Sequence, residues 1–224
     1  MIIGSGLIAS TFYRLSTKEF LDVFIIFASG VSDSSKNDVV GYERERTLLL
    51  DTINSTKLPI IYFSSILAPI SDLPYYKHKL SMEQLIQEHT NEYLIFRIPQ
   101  IVGGGGNGNS LFNFLKESIL TGKVINTNET VERSIVDVDD LVRIVDWCKN
   151  YRGILSLSKI EKIKVMYLCD IIGKILDKHP IINITKNKEF GDWCYDNSDL
   201  IDAALIKLNI HKDKYTERLV RKYI

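Results

Sequence analysis

What most constrains this chain is an alternation. Short β-branched apolar runs take turns with longer stretches of helical period through its first half, a pattern that builds βαβ units around a mainly parallel sheet. The reading along the chain is a very short strand at Ile2 and Ile3, a helix from Leu7 to about Leu15, and a buried strand from Val23 to Ala28. A helix from Tyr42 to about Asn54 and a strand from Ile60 to Phe63 follow. After a loop holding Pro69 and Pro74, a helix from Tyr75 to His89 sets Leu80, Leu85 and Ile86 on one face, with Lys79 and Glu83 nearby, and Tyr93 to Ile98 is a further strand. Gly103-Gly104-Gly105-Gly106-Asn107-Gly108-Asn109 can only be a loop, because residues this free weaken helix and strand alike. Beyond it come a helix from Ser110 to about Leu120, a polar turn over Thr127 to Glu132, a strand near Ser134 to Val136 and a helix from Asp139 to Cys148. Helices near Lys164 to Leu176 and Ser198 to Leu208 make a small second lobe.

The 224 residues suffice for one α/β domain with a modest appendage. Lys plus Arg and Asp plus Glu each number 28, so no net field draws nucleic acid or anionic lipid. Cys148, Cys169 and Cys194 are widely spaced without a CxxC neighbour, which reads as reduced packing thiols and not as a disulfide framework or zinc site. His78, His89, His179 and His211 are scattered among charged residues and suit solvent better than a metal. No run approaches the ~18 apolar residues of a membrane span, so a cytoplasmic, soluble protein is expected, with neither nucleic acid nor membrane as partner.

Two motifs carry chemistry. Gly4-Ser5-Gly6-Leu7-Ile8-Ala9 fits GxGxxA between a strand and a helix, where small residues let backbone N–H groups approach a pyrophosphate at a helix N-terminus. A tight turn with no ligand would read the same. Tyr75-Tyr76-Lys77-His78-Lys79 contains YxxxK, which puts a phenol and an ammonium on one helix face. That spacing arises by chance in a chain rich in both residues, so its neighbours carry the weight: Phe63-Ser64-Ser65 ends the preceding strand, and Leu80 and Glu83 extend the match to YxxxKLxxE.

With Phe27-Ala28-Ser29-Gly30 at a strand end, Arg97-Ile98-Pro99-Gln100-Ile101-Val102-Gly103, and Glu132-Arg133-Ser134-Ile135-Val136-Asp137-Val138-Asp139-Asp140-Leu141, the chain resembles the extended short-chain dehydrogenase/reductases, the NAD-dependent epimerase/dehydratase group. The resemblance implies a Rossmann-like α/β sheet with helices on both faces, a dinucleotide-binding portion over residues 1–98 and a substrate portion over 99–224, of which 133–150 packs back on the first. It implies NAD or NADP as cofactor and a nucleotide-linked sugar as substrate. A keto group would be reduced in glycan precursor (polysaccharide) biosynthesis; an epimerase with the same groups, or a catalytically weak nucleotide-sugar-binding protein, is the alternative. By resemblance Ser65, Tyr75 and Lys79 are catalytic, with Tyr75 as acid/base. Lys79 would hold the nicotinamide ribose and lower the Tyr75 pKa from ~10. Gly4, Gly6, Leu7, Ile8, Ala28, Ser29, Gly30, Ser64 and Pro99 would contact cofactor. Gln100, Asn107, Asn109 and Arg133 would contact substrate, Arg133 through the diphosphate. Asp137, Asp139 and Asp140 sit where the family starts a helix and read as capping. The family also dimerises through helices equivalent to 42–54 and 75–89.

One departure stands out. The Val23 strand begins where the family still has two more strands to come. Its Ala28-Ser29-Gly30 ending matches the family's fourth strand, so that the second and third are missing together with the acid that holds the adenosine ribose. Alternatively it is the second strand, and Asp33 is that acid, although the gap from Gly4 exceeds the ~20 residues expected. In the family the second and fourth strands flank the first on opposite sides. A direct step from first to fourth over the first helix's usual face would therefore be left-handed, against a rule obeyed in ~98% of cases. The expectation is that the helix has changed face or that the strand order is altered.

Overall fold

The computed structural model describes residues 1–34, 37–105, 108, 110–185, 199–210 and 214–224. In chain order the elements are β1 (Ile2–Ile3), α1 (Leu7–Leu15), α2 (Lys18–Val23), β2 (Ile25–Phe27), α3 (Val39–Ser55), β3 (Ile60–Ser65), α4 (Pro74–His89), β4 (Tyr93–Ile98) and β5 (Gln100–Val102). There follow α5 (Leu111–Thr121), β6 (Ile125–Thr127), β7 (Glu132–Asp137), α6 (Val138–Cys148), β8 (Gly153–Ser156), β9 (Lys162–Lys164), α7 (Val165–Leu176), β10 (Ile182–Ile184), α8 (Asp199–Lys207) and α9 (Tyr215–Tyr223).

The main sheet is parallel throughout, in the order β1-β2-β3-β4-β8. Both faces are covered, so its strands read as unbroken apolar runs rather than alternating ones. Ile2, Ile26, Ile61, Phe63, Leu94, Phe96 and Leu155 face one core with Ala9 and Phe12 of α1, Phe20 of α2 and the apolar face of α6. Ile25, Phe27, Ile60, Tyr62 and Ile95 face the other with Leu49 and Ile53 of α3 and Met82, Leu85 and Ile86 of α4. Val23, expected in a strand, ends α2 instead: Thr17 accepts the Phe20 N–H as N-cap, and the strand starts two residues later. Outside the main sheet, β5 pairs with β7, β7 with β9, and β6 with β10.

The sheet order puts β2 between β1 and β3, the place that the resembled family gives its fourth strand, and thereby sets aside the second-strand reading of Asp33. The steps from β1 to β2, β2 to β3 and β3 to β4 all run the same way across the sheet. The first passes over one face through α1 and α2, while the next two pass over the opposite face through α3 and α4. Steps in one direction over opposite faces have opposite hands. With α3 and α4 following the right-handed rule, the first connection is left-handed. The expectation that α1 had changed face or that the order was altered fails. The helix keeps its packing against α6, and the connection takes the unusual hand. Its chain end is tied down nearby, since the Met1 ammonium donates to the carbonyls of Leu21 and Phe24.

Candidate active site

A cavity of about 490 Å³ opens at the carboxyl ends of β1 to β4, where an open α/β sheet places its ligands. The glycine loop and the start of α1 supply Ser5, Gly6, Leu7 and Ile8 to its wall, and the end of β2 supplies Ala28, Ser29 and Gly30. Ser64, Ser65, Tyr75 and Lys79 come from β3 and α4, and Pro99 and Gln100 from the chain after β4. The sequence motifs thus converge on one space.

The two glycines of the first loop do different work. Gly4 is not on the cavity wall; its φ is +124°, and a Cβ there would lie 2.3 Å from the Ala28 carbonyl oxygen, so it lets β1 and β2 end in contact. Gly6 caps α1 with no side-chain hydrogen bond, and nothing stands within 4 Å of where its Cβ would be. The first-turn N–H groups of α1 therefore face an open cradle that suits a pyrophosphate. The adenosine side is different: β1 is the sheet edge among the described residues, and Asp33 and Arg44 line the cavity from the loop and helix that follow β2. Arg44 donates to the Ser29 carbonyl at 3.2 Å.

The hydroxyls also divide. Ser64 is buried and donates to Glu83 at 2.5 Å, and Glu83 is in turn gripped by Arg97, whose Nη2 lies 2.7 Å away. Ser65 is half-buried and lines the cavity, and its oxygen accepts the Leu67 N–H at 3.2 Å. Tyr75 is half-buried and packs edge-on against Tyr76.

Beneath Lys79 lies a group the sequence reading missed. Glu45 of α3 is fully buried. Its carboxylate takes the Lys79 ammonium at 2.9 Å, the Tyr62 hydroxyl at 2.6 Å, the Val31 N–H at 2.9 Å and His78 Nε2 at 3.0 Å. Lys79 also donates to the Tyr62 oxygen at 3.1 Å. Burial would raise the Glu45 pKa, but the Lys79 charge and the hydrogen bonds from His78, Tyr62 and Lys79 prevail and hold it well below the usual carboxylate range. Gly30 passes directly above: a Cβ on it would meet Lys79 Nζ at 2.5 Å and Glu45 Oε1 at 2.9 Å. The expected lowering of the Tyr75 pKa by Lys79 is not found. Burial first, then the electrostatic effects of Glu45 and Tyr42, push that phenol well above its ordinary value. One signal could have identified Glu45: it shares its helix face with Leu49, Thr52 and Ile53, which are also buried.

Arg133 does not line the cavity. It is the second residue of β7, half-buried, and donates to the Glu132 carbonyl at 2.9 Å. The register pairs Gln100 with Ile135, so Arg133 lies two positions short of the wall. Asn107 and Asn109 lie outside the described residues. The acidic run behaves as a cap: Asp137 accepts the Asp139 N–H at 2.9 Å, and it also receives Lys222 at 2.6 Å and the Tyr223 hydroxyl at 2.7 Å. Among the described residues, no helix is long and apolar enough to cross a membrane.

No protein-family model matches the chain, and no curated protein matches it by sequence. Solved structures do match by shape. MoeE5 in complex with UDP-glucuronic acid and NAD is 15% identical with a TM-score of 0.61, over 73% of this chain and 65% of that one, so the chain spans slightly under two thirds of it. The UDP-N-acetylglucosamine 4-epimerase from Methanobrevibacter ruminantium M1 is 16% identical with a TM-score of 0.69, over 88% of this chain and 74% of that one. The dTDP-4-dehydrorhamnose reductase from Yersinia enterocolitica is 15% identical with a TM-score of 0.65, over 90% and 82%. With its parallel sheet covered by helices on both faces, the chain has the fold of the extended short-chain dehydrogenase/reductases and is shorter than these similar structures.

Proposed function

We propose that the chain binds a nicotinamide dinucleotide, NAD or NADP, and reduces a keto group on a nucleotide-linked sugar. The observation that carries this reading is the convergence of the glycine loop, the β2 end, Ser65, Tyr75 and Lys79 on one cavity. The open cradle at Gly6 and the uncapped α1 N-terminus fit a pyrophosphate. When bound, the reduced nicotinamide supplies a hydride. The protein's own part is to orient and to move a proton: Ser65 donates to the carbonyl oxygen, and the Tyr75 hydroxyl gives that oxygen its proton as negative charge develops. Lys79 has committed two of its three ammonium hydrogens to Glu45 and Tyr62, which leaves one for a ribose hydroxyl. Gln100 orients the sugar. Arg133, Asn107 and Asn109 are assigned to the substrate by resemblance.

An epimerase would use the same Ser65, Tyr75 and Lys79, and the structures of similar fold include epimerases. A dimer through α3 and α4 is part of this reading, as are cytoplasmic residence and a role in polysaccharide precursor synthesis. The test is titration with both reduced cofactors, followed by a panel of nucleotide-linked 4-keto sugars. Binding with Tyr75→Phe turnover lowered by about 10²- to 10⁴-fold is expected. Absence of any fluorescence change at millimolar cofactor, or full turnover by Tyr75→Phe, refutes it.

A further inference from the structure

The best-satisfied buried charge in the described structure belongs to Glu45, a residue outside every motif, and it stands directly beneath the catalytic candidates. Its carboxylate has four partners drawn from three places: Val31 from the loop after β2, Tyr62 from β3, and His78 and Lys79 from α4. The arrangement is rigid. Glu45 is fully buried and Lys79 is 4% exposed, and the His78 ring is stacked on Tyr42 with centroids 4.4 Å apart. Lys79 Nζ stands 5.9 Å from the Tyr75 ring centroid and 5.0 Å from that of Tyr62, so its hydrogen bonds are spent on Glu45 and Tyr62 rather than on the Tyr75 hydroxyl.

We propose that Glu45 is a positioning residue that balances the Lys79 ammonium and so keeps the Tyr75 hydroxyl a resting proton donor, poised for reduction rather than for proton abstraction. The inference rests on the functional reading above. In the reductive step, the reduced nicotinamide cofactor gives two electrons as hydride to the carbonyl carbon, the C=O π pair moves to oxygen, and that oxygen takes the Tyr75 proton. The cofactor is left oxidised and Tyr75 a phenolate, which solvent reprotonates. An enzyme that begins by oxidising an alcohol needs the phenolate at the outset. With the Lys79 ammonium held by Glu45 and Tyr62, that form is disfavoured in the resting chain, which suits a first step that consumes the Tyr75 proton.

The charged and titratable groups set against Tyr75 are Glu45 and Tyr42 from α3, Tyr76 and Lys79 from α4, and Tyr62 from β3, with His78 behind them on Glu45 and Tyr42. Glu83 lies further beneath and is tied to Ser64 and Arg97. Among these, Glu45 and Lys79 are the pair whose balance one isosteric substitution removes. Glu45→Gln keeps the shape and much of the hydrogen bonding and leaves the ammonium uncompensated.

The experiment is a tyrosinate absorbance titration of the full chain without added cofactor, as the difference between the native protein and Tyr75→Phe. In the native chain Tyr75 is expected to ionise above pH ~10, the free phenol value. In Glu45→Gln it is expected to ionise at a pH lower by about one to three, the effect of an unbalanced cation within a few ångströms. An unchanged titration in Glu45→Gln overturns the proposal. Ionisation of Tyr75 clearly below pH ~10 in the native chain also overturns it, and that measurement needs no variant to fold. Where a keto sugar nucleotide is reduced, the alkaline fall in kcat/KM should move down in pH by the same amount in Glu45→Gln. Failure of every such substrate would sink the functional reading and leave the titration to decide the role of Glu45.

Discussion

Replacing Glu45 by Ala tests the buried network most directly. The substitution leaves the Lys79 ammonium, whose side chain is 5% exposed, with only the Tyr62 oxygen, and it strips the Val31 N–H and the Tyr62 hydroxyl of their acceptor. Removing one member of a buried ion pair costs about 3–5 kcal/mol, because the surviving charge keeps its desolvation penalty and loses its compensation. In a chain of this size each kcal/mol moves the melting temperature by about 2–4 °C, so a fall of roughly 10 °C is expected by circular dichroism near neutral pH. The sign with pH follows from the depressed Glu45 pKa. Its stabilisation is complete above the unfolded carboxylate value of ~4.3 and is lost as pH falls through the lower folded value. The gap between native and variant should therefore narrow only in acid. Glu45→Leu combined with Lys79→Met removes both charges and should recover most of the loss. A fall under about 2 °C in the single variant, where even 1 kcal/mol would show, or a double variant no better than the single, would refute the assignment of an ion pair that organises this core.

Gly4→Ala should cost about 2 kcal/mol or more, since its backbone is left-handed and a methyl would strike the Ala28 carbonyl; a native melting temperature in that variant would be incompatible with the close approach. Gly6→Ala, with open space at its Cβ, should hold stability within about 0.5 kcal/mol while weakening reduced-cofactor binding. Burial pushes the Cys148 thiol up to about 12 and the Cys169 thiol up to about 11, so alkylation of the folded chain near pH 8 followed by peptide mapping should leave both unmodified, and urea should expose them. Asp137→Ala removes the α6 cap and the acceptor for Lys222 and Tyr223. It should cost about 2 kcal/mol in urea unfolding, roughly half of it the cap and the rest a charge-assisted bond discounted for the partial exposure of Lys222.

The long helices and the inner strands were legible in the sequence because each carries enough apolar positions to declare its period. Val23 misled because it is β-branched and apolar beside a strand, whereas α2 has only six residues and owes its start to one cap at Thr17. Three-residue strands such as β5, β6, β9 and β10 exist through pairing with distant partners, which no local window contains. At the site, Ser65, Tyr75 and the glycine loop were readable because motif spacing fixes their place on a strand end, a helix face and a turn. Glu45 was not, because Glu43-Arg44-Glu45-Arg46 looks like a solvated helix face and only its alignment with Leu49 and Ile53 says otherwise. Arg133 shows the converse: a motif position predicts a neighbourhood, but the β5–β7 register decides which side chains reach the wall.

The left-handed first connection follows from where strands are missing. The first helix of this fold has three obligations: its N-terminus must reach the carboxyl end of the sheet, its Ala9 and Phe12 must fill the core against Phe63, and it must lie against α6. None of these depends on the strands beyond β1, so their loss leaves α1 where it was. Moving it to the other face would abandon the last two and crowd the layer already occupied by α3 and α4. The cost of the uncommon hand is confined to the return segment, where α2 and the Met1 bonds to Leu21 and Phe24 hold the chain back toward β2. On the proposed function, the cavity holds the groups that would act on a nicotinamide ring, while β1 stands at the sheet edge among the described residues, on the side where adenosine would lie. Cofactor affinity on that reading would rest on the pyrophosphate cradle and on what Ser29, Asp33 and Arg44 supply from the β2 side.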